Sequence, residues 1–341
     1  MTTAALATRI AMRRIKEIMK ASLTKAAFLV CMFVACAVPA QGGTLSTSVI
    51  SLFPKDIGEF AYADLKTARR HKWFPQLKDQ MLPSRFRQFE RLLESAGIDP
   101  NVQVEELAWG ATLPTPETPD MVVGVALGQF KPEHTATFFK NQKLFSYEHR
   151  GFKLYAFGGS GANDLFFFYV DANTAAFGHK SILEKLIEVR FGAEESLLRN
   201  DKLYRLIEEA NGKGLAWAVL GEGYTRLAIQ QLAPETAQFP DAPKLIAKMK
   251  ATIIKFAAEK GVDTEFQFVC ESPDDANLFA AILDAGLLYK RIQEKPSNPE
   301  LSKSLEDARV SAKGDRLEFK LALSEETLVE LLKRNTFAVK M

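Results

Sequence analysis

"ARVSAKGDRLEFKLALSEETLVELLKR", Ala308 to Arg334, decides the fold class. Its first part reads as two strands joined at Gly314-Asp315, where glycine supplies the positive φ that a tight hairpin turn needs. In "RLEFKLAL" apolar and charged residues alternate, so one face of that strand is polar and suited to water. Ser324-Glu325-Glu326 then starts a helix: a hydroxyl caps the first free N–H groups, and two acids oppose the positive end of the helix dipole. Hairpins imply antiparallel pairing, and a polar sheet face implies helices on the other face only. The class expected is therefore α+β, with predominantly antiparallel sheets and helices packed on one face, rather than a doubly wound α/β fold.

Working outward, the same strand-then-helix unit recurs. "EFAYADL" precedes "KTARRHKWFPQLKDQM", "DMVVGVALGQF" precedes "KPEHTATFFKN", and "TAAFG" precedes "HKSILEKLIEVR". Further on, "GLAWAVL" precedes "GEGYTRLAIQQL", and "EFQFVCE" precedes "SPDDANLFAAILDAGLLYKRI". Ser272-Pro273-Asp274-Asp275 combines an N-cap, a first-turn proline and two acids. Behind it Ala276, Phe279, Ala280, Leu283, Leu287 and Leu288 recur at three- and four-residue steps, one apolar helix face. Two more hairpins are expected, turning at Arg150-Gly151 and Lys260-Gly261. "GQFKPEHTATFFK" and "CESPDDANLFAAIL" hold matching places in two halves of similar order, so residues 41–192 and 193–341 read as two similar α+β halves.

The N-terminus reads as an export leader. Arg13, Arg14, Lys16, Lys20 and Lys25 precede an apolar run from Ala26 to Ala40. Its 15 residues fall short of the roughly 20 that span a bilayer. Val38-Pro39-Ala40 fits signal-peptidase cleavage after Ala40, giving a signal peptide over 1–40 and no transmembrane span afterwards. A second reading makes Phe33-Val34-Ala35-Cys36 a lipobox and anchors the chain as a lipoprotein through Cys36. Met1, Met12 and Met19 are all possible starts. The expected location is periplasmic or extracellular.

Leu52-Phe53-Pro54-Lys55-Asp56 opens the first strand. With the leader, the repeated strand–helix units and the final strand-helix, the chain resembles a loose group of uncharacterised exported bacterial proteins. The resemblance implies an exported α+β protein. The group has no assigned activity, so no site residue is carried over.

The whole chain has 44 basic and 42 acidic residues; six of the basic and one of the acidic lie in the leader, leaving 38 against 41 and a net charge of −3. Nucleic-acid binding, which needs a concentrated positive footprint, is not expected. Cys270 is the one cysteine beyond the leader, in an alternating run that suits a packing residue.

Chemistry leaves few marks. His71, His134, His149 and His179 are far apart and make no metal-ligand spacing. "AFGGSGAND" lacks the Lys and Ser/Thr of a phosphate loop, and "VLGEGYTRL" has Arg226 where a dinucleotide fingerprint needs glycine. Neither a catalytic, a cofactor nor a metal site is expected. Glu105-Glu106, Glu194-Glu195, Asp274-Asp275 and Glu325-Glu326 are adjacent pairs, which do not face one another.

The basic run with Arg69, Arg70, Lys72, Arg85 and Arg87, interleaved with Trp73, Phe74, Phe86 and Phe89, is the candidate contact for an anionic surface. The plainer reading is a solvated helix face whose aromatics turn to the core. The functional expectation is an exported, non-enzymatic envelope protein acting by binding or assembly, its partner an envelope protein or an anionic surface. A soluble carrier of an apolar or lipid-like ligand, or a hydrolase-type enzyme whose residues meet only in the fold, are the alternatives.

Overall fold

The computed structural model describes residues 43–334 apart from 82–89, 92, 96, 116–120, 158–159, 162–163, 233–241, 258–260 and 297–298. The expected leader with Val38-Pro39-Ala40 and Cys36 lies outside the described residues, as do Arg85, Phe86, Arg87 and Phe89.

The strands are β1 (Ile57–Asp64), β2 (Val104–Thr112), β3 (Val122–Gly128), β4 (Ser146–His149), β5 (Phe152–Ala156), β6 (Leu165–Tyr169), β7 (Thr174–His179), β8 (Ala216–Leu220), β9 (Met249–Ala257), β10 (Gly261–Cys270), β11 (Arg309–Lys313) and β12 (Arg316–Ser324). They form one 12-stranded sheet in the order β11-β12-β10-β9-β8-β1-β2-β3-β7-β6-β5-β4. Neighbours pair antiparallel throughout. The class is α+β. The hairpin tips fall at Arg150-Gly151, with φ of 46° and 81°, and at Gly314, with φ 59°. A left-handed backbone at these tips matches the right-handed strand twist.

The helices are α1 (Thr47–Ile50), α2 (Leu65–Ala68), α3 (Phe74–Met81), α4 (Pro100–Gln103), α5 (Pro132–Asn141), α6 (Lys180–Arg190), α7 (Asp201–Ala210), α8 (Glu222–Leu232), α9 (Ala242–Ile246), α10 (Pro273–Glu294), α11 (Pro299–Asp307) and α12 (Glu325–Lys333). Caps fall where the sequence put them: Ser272 accepts from Asp275 N and Ser324 from Thr327 N, while Lys131 gives no side-chain cap.

The expectation of helices on a single face needs correction. On the first face Phe60, Tyr62, Trp217, Val219, Phe166 and Phe168 pack under Ile182, Leu183 and Leu186 of α6 and Leu203 and Ile207 of α7. On the second face Ala61, Ala216, Ala218, Ile254 and Phe256 pack under Ala68 of α2, Leu77 of α3 and Leu328, Leu331 and Leu332 of α12. Successive strand residues point to opposite faces, so Phe60 and Ala61 serve different layers. The single-face arrangement holds over β10 and β12, where it was read from "RLEFKLAL". There the second face packs on α10 and α11. The first face carries Asp263, Glu265, Glu318 and Lys320, exposed or half-exposed. Glu265 bonds Lys255 across the sheet at 3.1 Å and Lys320 at 3.5 Å.

A central seam of the sheet is the β1–β8 pairing, Tyr62 opposite Trp217, with their rings stacked at 5.7 Å. From that seam one side runs β1-β2-β3-β7-β6 and the other β8-β9-β10-β12-β11. The hairpin β4–β5 lies beyond β6 at the sheet edge. The Leu52–Asp56 segment locks the seam. Phe53 is wholly buried with its ring edge-on to Phe60 at 4.8 Å. Leu197 N donates to Phe53 O, and Lys55 N to Glu195 O.

"KTARRHKWFPQLKDQM" makes two short helices, α2 and α3, rather than one. Pro75 stands in the first turn of α3, where its missing N–H has no helical partner to lose, and it favours the start of a new helix over continuation of α2. The break at residues 69–73 sets the direction of each basic side chain there.

Candidate functional site

The basic segment divides in two. Arg70 and Lys72 are exposed. Arg69 is not: its guanidinium donates to Pro100 O at 3.1 Å and to Val104 O, tying α2 to the start of β2. Burial lowers its pKa from the ordinary guanidinium value, opposed by Asp99, Glu105 and Asp64. Lys78 is held by Glu90 at 2.8 Å and by Asn101. Trp73 is buried and Phe74 packs against the same core, as the plainer reading has it. His71 sits 5.5 Å from the Trp73 ring, its pKa lowered chiefly by burial. Of the five candidate contacts, Arg70 and Lys72 face solvent, Arg69 is a structural clamp, and Arg85 and Arg87 lie outside the described residues.

A second surface lies on the first face, beside the seam. Lys55, Asp56, Lys185, Glu194, Glu195, Arg199, Asn200, Asp201 and Lys202 line an open cavity of about 590 Å³. The sequence did not single it out, because the residues come from three separate segments. Four cations face four anions there, and two pairs are closed: Lys55 with Glu195 and Lys185 with Asp56, each at 2.7 Å. Hydrogen bonding from Lys55 holds Glu195 below the usual carboxylate range. Asn200 caps α7 at Leu203 N and donates to Lys55 O, which fixes the rim. A bowl so balanced in charge exerts little net pull on an ionic ligand.

The third group is Tyr62 with Glu106, hydrogen bonded at 2.9 Å. Burial raises the pKa of both, and the negative charge of Glu106 raises that of Tyr62 further. Perturbed pairs of this kind often mark active sites. Here the phenol is fully enclosed and stacked on Trp217, so no substrate reaches its oxygen. Glu105 turns the other way, to Lys66 at 2.9 Å, as expected for adjacent strand residues. The pair escaped the sequence because it depends on the β1–β2 register.

The remaining residues have packing or capping roles. His149 meets Glu188 at 2.9 Å, and His179 Nδ1 accepts from Val122 N. Cys270 is buried, and burial pushes its thiol pKa up to about 11, away from a reactive thiolate. Asp275 is held low by hydrogen bonds from Lys248 and Ser272. Among the described residues no cluster of three His, Cys, Asp or Glu could hold a metal, and no helix is long and apolar enough to cross a membrane.

No family model and no curated protein matches the chain. It is similar to the solved structure "Structure of crystal form I of TP0453", with 10% identity and a TM-score of 0.41 over 85% of this chain and 97% of that one. A likeness of that degree assigns neither family nor activity.

Proposed function

We propose that the chain is an exported protein of the cell envelope that acts by binding or assembly rather than by catalysis, through two halves built alike. The observation that carries this reading is the state of its polar side chains. The four cations and four anions around the 590 Å³ bowl balance in charge, with Lys55–Glu195 and Lys185–Asp56 closed as ion pairs, and the Tyr62 phenol of the perturbed Tyr62–Glu106 pair is buried in the core. Catalysis asks for converging groups within reach of a substrate; the Tyr62 oxygen is out of reach, and Lys55, Glu195, Lys185 and Asp56 are engaged with one another. The interior under both sheet faces is packed with rings and branched chains, which speaks against the apolar carrier. Binding is left to the surfaces, among them the outward cations Arg70 and Lys72, which suit an anionic surface or an acidic envelope partner.

The test is fractionation of cells producing the full chain, followed by intact-mass measurement and chemical cross-linking of the envelope fraction. The expected product begins at Gln41, lies in the exported fraction and cross-links into discrete larger species. A product beginning at Cys36 with added acyl mass would support the lipoprotein anchor. A cytoplasmic chain with residues 1–40 intact, or an exported one that cross-links to nothing, would refute the proposal.

A further inference from the structure

The helix α10 is apolar on both of its long faces. Ala276, Phe279 and Leu287 are buried against the sheet and α11. On the opposite side Leu278, Ile282, Leu288 and Ile292 are 45%, 53%, 57% and 66% exposed, and Ala281 and Ala285 are exposed between them. These six recur at helical spacing and form a stripe of roughly 20 Å at 1.5 Å per residue. Charged residues stand at its two ends, Asp274 and Lys295, both exposed. A helix apolar all round is ordinarily a buried helix, which leaves the outer stripe in need of a cover.

We infer that this stripe is the contact between two copies of the chain, paired antiparallel about Ala285. The argument is the symmetry of the stripe. Leu278 and Ile292 lie seven residues on either side of Ala285, Ile282 and Leu288 three on either side, and Ala281 and Tyr289 four. A two-fold interface must be self-complementary, residue i meeting j and j meeting i. Rotation about an axis through Ala285 sets every apolar residue of one copy against an apolar residue of the other. It also sets Asp274 of each copy near Lys295 of its partner and opposes the two helix dipoles. A parallel pairing would bring Asp274 against Asp274. Small residues at the centre let two helix axes approach to about 8–10 Å. Space is open there: a Cβ added at Gly286 would meet no atom within 4 Å. A membrane fits less well. Interfacial helices set Lys and Arg around their apolar face, whereas Asn277 and Asp284 border this one and its other side is built into the core.

The inference rests on the assembly reading and names the partner as a second copy. Sedimentation equilibrium of the exported chain over a concentration series should show monomer and dimer. Ile282→Glu places a charge at the stripe's middle, on a side chain already half exposed, and should weaken association at least tenfold while far-UV circular dichroism stays unchanged. Asp274→Lys and Lys295→Glu should each weaken it, and the double variant should recover it. Ala285→Cys, lying on the axis, should oxidise to a disulfide-linked dimer. Leu278→Cys alone should not, whereas a mixture of Leu278→Cys and Ile292→Cys chains should cross-link. A chain monomeric at all concentrations overturns the inference, as does a dimer indifferent to Ile282→Glu. If that monomer still cross-links to another envelope protein, only the self-pairing fails and the assembly reading stands. If it instead binds vesicles through the stripe, losing them on Ile282→Glu, a membrane is the occupant and the inference falls.

Discussion

Replacing Arg69 with Gln tests whether the basic segment is a surface or a joint. The guanidinium donates to Pro100 O, at the first residue of α4, and to Val104 O, at the first residue of β2. Glutamine is too short to reach both carbonyls. Leaving a buried acceptor without its donor costs about 1–3 kcal/mol. Both carbonyls lie in a partly buried setting where water can replace some of the loss, so about 1 kcal/mol each is the fitting choice, roughly 2 kcal/mol in all. Arg70→Gln and Lys72→Gln remove exposed charges and should stay within about 0.5 kcal/mol. With a urea slope on the order of 2–3 kcal/mol/M, Arg69→Gln lowers the unfolding midpoint by about 0.7–1 M, and the other two leave it in place. Arg69→Lys keeps the charge but replaces the planar fork by a point donor, and should fall between. Urea titrations followed by tryptophan fluorescence and far-UV circular dichroism read all four variants. Equal midpoints for Arg69→Gln and Arg70→Gln would show that the inward clamp does not exist.

Three further outcomes follow from the same contacts. Cys270→Ala removes a small buried side chain between β10 and α10 and should cost about 1–2 kcal/mol. With its pKa pushed up to about 11, the native thiol should label slowly at neutral pH, and rapid labelling would contradict its burial. The Asp275 pKa is depressed by Lys248 and Ser272, so its contribution is present above the ordinary carboxylate pKa and is lost as pH falls through the lower folded value. Acid unfolding of Asp275→Asn should therefore be less steep at the acidic end than that of the native chain; coincident curves would exclude Asp275 as a source of the acid sensitivity. Arg70→Gln with Lys72→Gln should reduce co-sedimentation with anionic vesicles at low salt and leave folding alone. If the native chain does not sediment, Arg70 and Lys72 are solvated charges only.

Much of the local structure was legible because its causes are local. Ser272 and Ser324 cap the helices that follow them, the glycines at 151 and 314 turn their hairpins, and Pro132 and Pro273 open α5 and α10. The alternation of "RLEFKLAL" put Glu318 and Lys320 on the wetter face and Leu317 against α10. Each such reading spans fewer than about ten residues, where side-chain period and backbone preference act alone.

The sequence by itself therefore determined the element types, their hairpins and caps, and the antiparallel character of the sheet. Only the tertiary structure decided that the strands join in one sheet through Tyr62 and Trp217, and that helices cover both faces of its centre. It alone turned Arg69 inward, buried the Tyr62 phenol against Glu106, left Leu278, Ile282 and Ile292 facing out, and turned outward Leu288, which the sequence had placed on the inner face of that helix with Ala276, Phe279 and Leu287. The physical reason is common to these cases. A pattern of period 2 or 3.6 says that a residue has a face, but which face meets water depends on partners distant in the chain. That choice is made by the packing of the whole and not by any stretch of it.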